Sequence, residues 1–113
     1  MAKKLNKAGY DLAKQMIGHG FELEHDENNW KEVQPTLTEA VEYLNAHDLD
    51  QYGTWFLGID TEADQKDKSK FVYPFGDFKV VHKSALLDSE KKARANKDNE
   101  IAEAAKRLLQ LIK

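Results

Sequence analysis

The densest concentration of ring-bearing and β-branched side chains falls in two runs. These are Trp55-Phe56-Leu57-Gly58-Ile59-Asp60 and Phe71-Val72-Tyr73-Pro74-Phe75-Gly76-Asp77-Phe78-Lys79-Val80-Val81-His82. Such residues suit a pleated, half-buried surface, so a strand-based centre can form here and flanking helices can bury a face against it. Alternation sends Trp55, Leu57 and Ile59 to one side of the first run and Phe56 and Gly58 to the other. In the second run, Phe71–Tyr73 and Phe78–His82 flank Pro74-Phe75-Gly76-Asp77, whose proline and glycine suit a reverse turn, and a hairpin is predicted. The spacer from Asp60 to Lys70 has Ala63 as its only apolar residue, so it forms an exposed connection.

Helical periodicity frames this centre. Leu5, Ala8, Leu12, Ala13, Met16 and Ile17 recur at spacings of three and four, predicting a helix near 6–18 with Asn6 as N-cap and Gly18 and Gly20 at its end. Thr36-Leu37-Thr38-Glu39 matches a capping box and opens a helix near 36–47 carrying Leu37, Ala40, Val41 and Leu44. Ser84 can cap a helix near 84–96. Asp98 or Asn99 can cap another near 99–112, whose Ile101, Ala104, Ala105, Leu108, Leu109 and Ile112 form a continuous apolar stripe that must pack on the sheet face bearing Trp55 and Val81. Between the first two helices, Phe21 to Gln34 lacks sustained period. It reads as an ordered loop pinned by Trp30, with a short strand at Phe21–Leu23. The expectation is one α+β domain spanning residues 1–113, with about four helices packed on a two- or three-stranded antiparallel sheet.

The 113-residue length suits one core. No run approaches the roughly eighteen apolar residues of a membrane-spanning helix, and a cytoplasmic protein without membrane association is expected. With no cysteine, disulfides, thiolate metal sites and a Cys nucleophile are excluded. The net charge of −3 is uneven: residues 1–70 hold 14 acidic and 8 basic side chains, residues 71–113 hold 6 and 9. Residues 21–64 set 12 acidic side chains against Lys31 alone, a face that could imitate nucleic-acid charge or bind a basic protein surface.

Residues able to carry chemistry each have a plainer structural reading. His19, Glu22, Glu24 and His25 are metal-ligand types, but their spacing matches no zinc or iron pattern and suits a solvated loop. Asp77, His82 and Ser84 are the residue types of a hydrolase triad. No glycine-rich turn surrounds Ser84, which suits an N-cap, and His82 suits a structural hydrogen bond. Neither standard nucleotide-binding glycine loop occurs. Lys79, Lys83, Lys91, Lys92, Arg94 and Lys97 form a basic run able to neutralise phosphates, but Asp88, Glu90 and Asp98 interleave with it as on a solvated helix face. Trp30, Phe75 and Phe78 are candidates for an aromatic docking patch, Phe75 above all, at the tip of the predicted turn.

Three segments together, Tyr52-Gly53-x-Trp55-x-Leu57-Gly58-Ile59-Asp60, Tyr73-Pro74-Phe75-Gly76-Asp77-Phe78-x-x-Val81-His82 and the alanine-rich Ile101–Leu109, resemble a group of small uncharacterised bacterial proteins. Similar segments occur in products of tailed-phage head genes near the prohead protease. The resemblance covers the chain from about Asn6 onward, although Asp88–Asn99 is richer in Lys and Asn than that pattern. It implies an independently folding domain of phage or mobile-element origin and brings no catalytic residue with it. The expected function is therefore a non-enzymatic protein-binding or assembly module, without catalytic residues, cofactor or metal, whose partner is another protein. The alternative is nucleic-acid binding through Lys83, Lys91, Lys92, Arg94 and Lys97.

Overall fold

A computed structural model describes residues 3–19, 23–26 and 29–112. Four longer helices appear where periodicity places them: α1 (Lys7–His19), α3 (Leu37–Ala46), α5 (Lys83–Ala95) and α6 (Asn99–Leu111). Two short ones, α2 (Trp30–Val33) and α4 (Leu49–Gly53), occupy stretches too brief to show a period. The strands are β1 (Lys3–Leu5), β2 (Leu23–Glu24), β3 (Phe56–Asp60), β4 (Phe71–Pro74) and β5 (Val81–His82). The result is a small α+β fold, and among the described residues no helix is long and apolar enough to cross a membrane. The predicted strand end at Phe21 and the helix-ending Gly20 lie outside the described residues.

Strand β3 is the centre of a three-stranded antiparallel sheet in the order β1-β3-β4, with Leu5 opposite Gly58 and Val72 opposite Gly58 on the other side. The predicted hairpin within 71–82 is corrected. Phe71–Pro74 pairs with β3, while Val81 and His82 pair in parallel with Leu23 and Glu24 in a separate two-stranded sheet. Residues 76–81 instead close a tight loop around Asp77, whose Oδ1 accepts from the Lys79 N–H (3.1 Å) and the Val80 N–H (3.0 Å). Phe78 sits there with φ of 69°. Side-chain carboxylates favour such local backbone bonds over a ladder, which is why no strand forms at 78–80.

The layers meet through small residues. A Cβ on Gly9 would lie 1.9 Å from the Phe56 carbonyl oxygen, so α1 rests directly on the backbone of β3. A Cβ on Gly58 would lie 2.9 Å from Ile101 Cδ1, so α6 closely approaches the sheet at Gly58. Asn6 acts on the sheet as well as preceding α1: its Nδ2 donates to the carbonyls of Gly53 (2.8 Å) and Phe56 (3.0 Å), and its N–H to Leu57 (2.8 Å). The apolar stripe of α6 (Ile101, Ala104, Ala105, Leu108) is buried, with Leu57 and Val81 in the same core.

The three candidate docking aromatics face inward. Phe75 is 0% exposed and packs on Trp55 with centroids 5.7 Å apart; its N–H donates to the Trp55 carbonyl (3.1 Å), and its own carbonyl accepts from the His82 N–H (3.0 Å). Phe78 is half-buried among Tyr43, Tyr52 and Trp55, and Trp30 is buried against the His82 ring. The turn's apolar tip folds back because the adjacent aromatics offer it a dry site worth a few kcal/mol, roughly 1.5–3 for a side chain of this size.

Two stability outcomes follow. Gly9→Ala should destabilise by about 2–4 kcal/mol in urea unfolding, although alanine is the better helix former by about 1 kcal/mol, because the methyl meets backbone that cannot yield. A neutral or stabilising result would show that α1 does not press on β3. Phe75→Ala should cost about 3–5 kcal/mol through the cavity it leaves.

Candidate functional site

The richest cluster of reactive side chain types lies where three distant segments meet. The Asp26 carboxylate reaches the start of α5, 58 residues on, where its Oδ1 accepts from the Ser84 N–H (3.0 Å) and its Oδ2 from the Ser84 hydroxyl (2.8 Å). The same Oδ2 lies 2.8 Å from His82 Nδ1. On the ring's other side, His82 Nε2 is 3.1 Å from Asp77 Oδ2, an ion-pair contact that lacks hydrogen-bond alignment. Trp30 covers the ring face, with centroids 5.6 Å apart.

The predicted helix cap is thus corrected. The helix begins at Lys83 with His82 in the N-cap position and no cap from its own side chain, and Asp26 supplies the acceptor from afar. A carboxylate is well placed here, since the first N–H groups of a helix lack partners and carry partial positive charge.

Burial works against ionisation of His82, but Asp26 and Asp77 outweigh it and hold the imidazolium above its ordinary pKa. Burial likewise opposes the charge on Asp26, yet the Ser84 N–H, the His82 ring and the Ser84 hydroxyl keep its carboxyl below the usual range. For Asp77 burial is again overcome, by the Val80 N–H and by His82. All three groups therefore favour their charged forms, as a bracketed ion triad would.

This arrangement does not activate a nucleophile. The Ser84 hydroxyl donates to Asp26 and not to an imidazole nitrogen, so the serine–base link of a triad is replaced by two donors sharing one carboxylate. Ser84 and His82 are also buried, at 2% and 6% exposure. The two carboxylates sit on opposite sides of the ring and do not converge on a point. Of the proposed metal set, His19, Glu24 and His25 are exposed and Glu22 lies outside the described residues; no metal-holding group of His, Asp and Glu occurs among the described residues.

A cleft of about 370 Å³ opens between β4 and α5, lined by Lys3, Trp30, Tyr73, Asp88, Lys92 and Asn96 among others. Its polar groups are engaged with one another. The Tyr73 hydroxyl donates to Asp98 and accepts from Asn96 Nδ2 (3.1 Å), Lys3 lies 3.8 Å from Asp98, and Lys92 lies 2.9 Å from Asp88. These bonds hold Tyr73 at φ 62°, a conformation that costs a non-glycine residue roughly 1–2 kcal/mol.

The basic candidates are spread along α5 and its exit. Lys83 is half-buried and Lys91, Lys92, Arg94 and Lys97 are exposed. Lys92 pairs with Asp88, and Arg94 with Glu90 (2.7 Å) and Glu103 (3.3 Å), so the surface alternates in sign.

The feature that sequence reasoning missed is how little of α3 is covered. None of its ten residues is buried; Leu37 is 70% and Val41 37% exposed. Tyr43 clamps the helix to the body by stacking on Phe78 (4.6 Å) and accepting from Trp55 Nε1 (3.2 Å), with Ala40 and Leu44 half-buried beside it. The apolar stripe read from the sequence is wider than the face the body covers. No family model, curated protein or solved structure matches the chain.

The ion triad has a pH signature. His82 has its folded pKa raised, so its contribution is complete below about 6.5 and is lost as pH rises through the folded value. Asp26 and Asp77 have theirs lowered, so their contribution is complete above about 4 and is lost as pH falls through their folded values. The stability difference between wild type and His82→Gln should therefore be greatest between about pH 4 and 6.5 and shrink on both sides. A difference that is flat with pH would remove the triad.

Proposed function

We propose that the chain is a non-enzymatic cytoplasmic protein-binding or assembly module and that α3 is its docking element. The observation that carries this reading is a ten-residue helix with no buried residue and with Leu37 and Val41 turned to solvent. A helix this short is marginal by itself, and here a capping box and one aromatic clamp hold it in place with part of its apolar stripe uncovered. Covering Leu37 alone is worth roughly 1.5–3 kcal/mol, a sizeable share of what a modest protein interface needs.

Two further points support the reading. The groups that could act as nucleophile or base, Ser84 and His82, are committed to holding Asp26 and the start of α5. The resemblance to proteins of tailed-phage head genes is in keeping with an assembly role, and under it the partner is another protein.

Replacing both exposed residues, Leu37→Ser with Val41→Ser, tests the proposal. The double variant should stay within about 1 kcal/mol of wild-type stability, since neither side chain is buried. Affinity capture should lose the partners that wild type retains. Equal recovery by both proteins would overturn α3 as the docking element.

A further inference from the structure

Resting on that reading of α3, we infer that the partner presents a cationic amphipathic helix. The apolar residues of α3 set its shape. Leu37, Val41 and the half-buried Leu44 follow one another at i, i+4 and i+7, a ridge about two turns or 10 Å long. A ridge of that form fits the groove of a second helix better than an extended strand, because α3 offers no free backbone edge.

Charge selects among helices. From Glu32 through Gln65 the sequence contains no lysine or arginine. Glu32, Glu39, Glu42, Asp48 and Asp50 are all exposed around α3 and α4. Among the described residues none of these five carboxylates is in an ion pair, although Glu39 and Asp48 also serve their helix caps. Elsewhere the molecule does neutralise itself: Lys92 has Asp88, and Arg94 has Glu90 and Glu103. The α3 side therefore combines an uncovered apolar ridge with exposed carboxylates that form no ion pair among the described residues. An acidic protein, a nucleic acid or an anionic lipid surface would be repelled, whereas a helix with an apolar stripe and flanking lysines or arginines satisfies both features.

A second copy of the chain is a poorer match. Its α6 carries exposed Lys106 and Arg107, but Ile101, Ala104, Ala105 and Leu108 are buried in its own core and leave Leu111 as the apolar residue on offer.

The probe is a synthetic peptide with leucines at helical spacing and lysines on the other face, compared with a scrambled peptide of identical composition. Binding is read by fluorescence anisotropy with the full chain. The amphipathic peptide should bind at least about tenfold more tightly than the scrambled one, and Leu37→Ser with Val41→Ser should remove that preference. Glu39→Gln with Glu42→Gln should weaken binding and flatten its salt dependence, while the side-chain amide introduced at position 39 preserves the capping box. Equal binding of both peptides, no binding, or indifference to Leu37 and Val41 would overturn the inference.

Sedimentation of the chain alone supplies the remaining outcome: a dimer abolished by Leu37→Ser with Val41→Ser makes a second copy the occupant and rejects the cationic partner. Should the peptide fail while captured partners still depend on Leu37 and Val41, the charge class falls and α3 docking stands. If captured partners are indifferent as well, both readings fall.

Discussion

Helix α1 can lie on strand β3 only because residue 9 has no side chain, and this close approach sets the geometry of everything around it. With Gly9 against the Phe56 carbonyl, Asn6 comes within reach of Gly53, Phe56 and Leu57 and locks the chain entering α1 to the chain entering β3. On the sheet's other contact, Gly58 admits Ile101 and the alanines of α6 keep that helix close. Both contacts bring backbone against its neighbours at interior packing density, where a single methyl is felt. The rings of Tyr52, Trp55, Phe56, Phe71 and Phe78 pack on one another, with Phe75 on Trp55, and α3 joins them through Tyr43.

Local sequence signals carried the helices and the small antiparallel sheet, but not every strand's partner. The capping box at Thr36 forms with both of its reciprocal bonds, and the stripe of α6 is buried as its period requires, since each depends only on residues within a few positions. Strand partners depend on which distant segment arrives. Lys3-Lys4-Leu5 has no strand character of its own, yet it takes the open edge of β3 opposite Asp60, Ile59 and Gly58. The run 71–82 looks like a hairpin because its proline and glycine sit midway. Its first half already has β3 as a partner, and the Asp77 side chain captures the amides that the second half would have offered.

The ion triad was half legible. Asp77, His82 and Ser84 stand out as a local group, but the residue that organises them, Asp26, lies in an acidic stretch where no one carboxylate is distinctive. Only the parallel pairing of Leu23 and Glu24 with Val81 and His82 brings Asp26 to the helix start. Once there, it converts residues that resemble a catalytic set into a capped and charged joint: one carboxylate satisfies an orphan amide, a hydroxyl and an imidazolium at once. The aromatic candidates failed for the related reason that a ring in a turn says nothing about whether the turn folds inward.

Two groups of acids in this chain sit in contrasting surroundings. Asp26 and Asp77 lose solvent but gain a cation and several donors, so their charge is stabilised within the fold. The carboxylates around α3 keep their solvent, and among the described residues none of them is in an ion pair. A helix that leaves Leu37 and Val41 uncovered depends on its caps and on Tyr43 to stay formed. Those same restraints fix its conformation in the free chain, which is what the proposed docking role would use. Ordering is then a smaller part of the cost of association, and more of the apolar and electrostatic gain remains for binding.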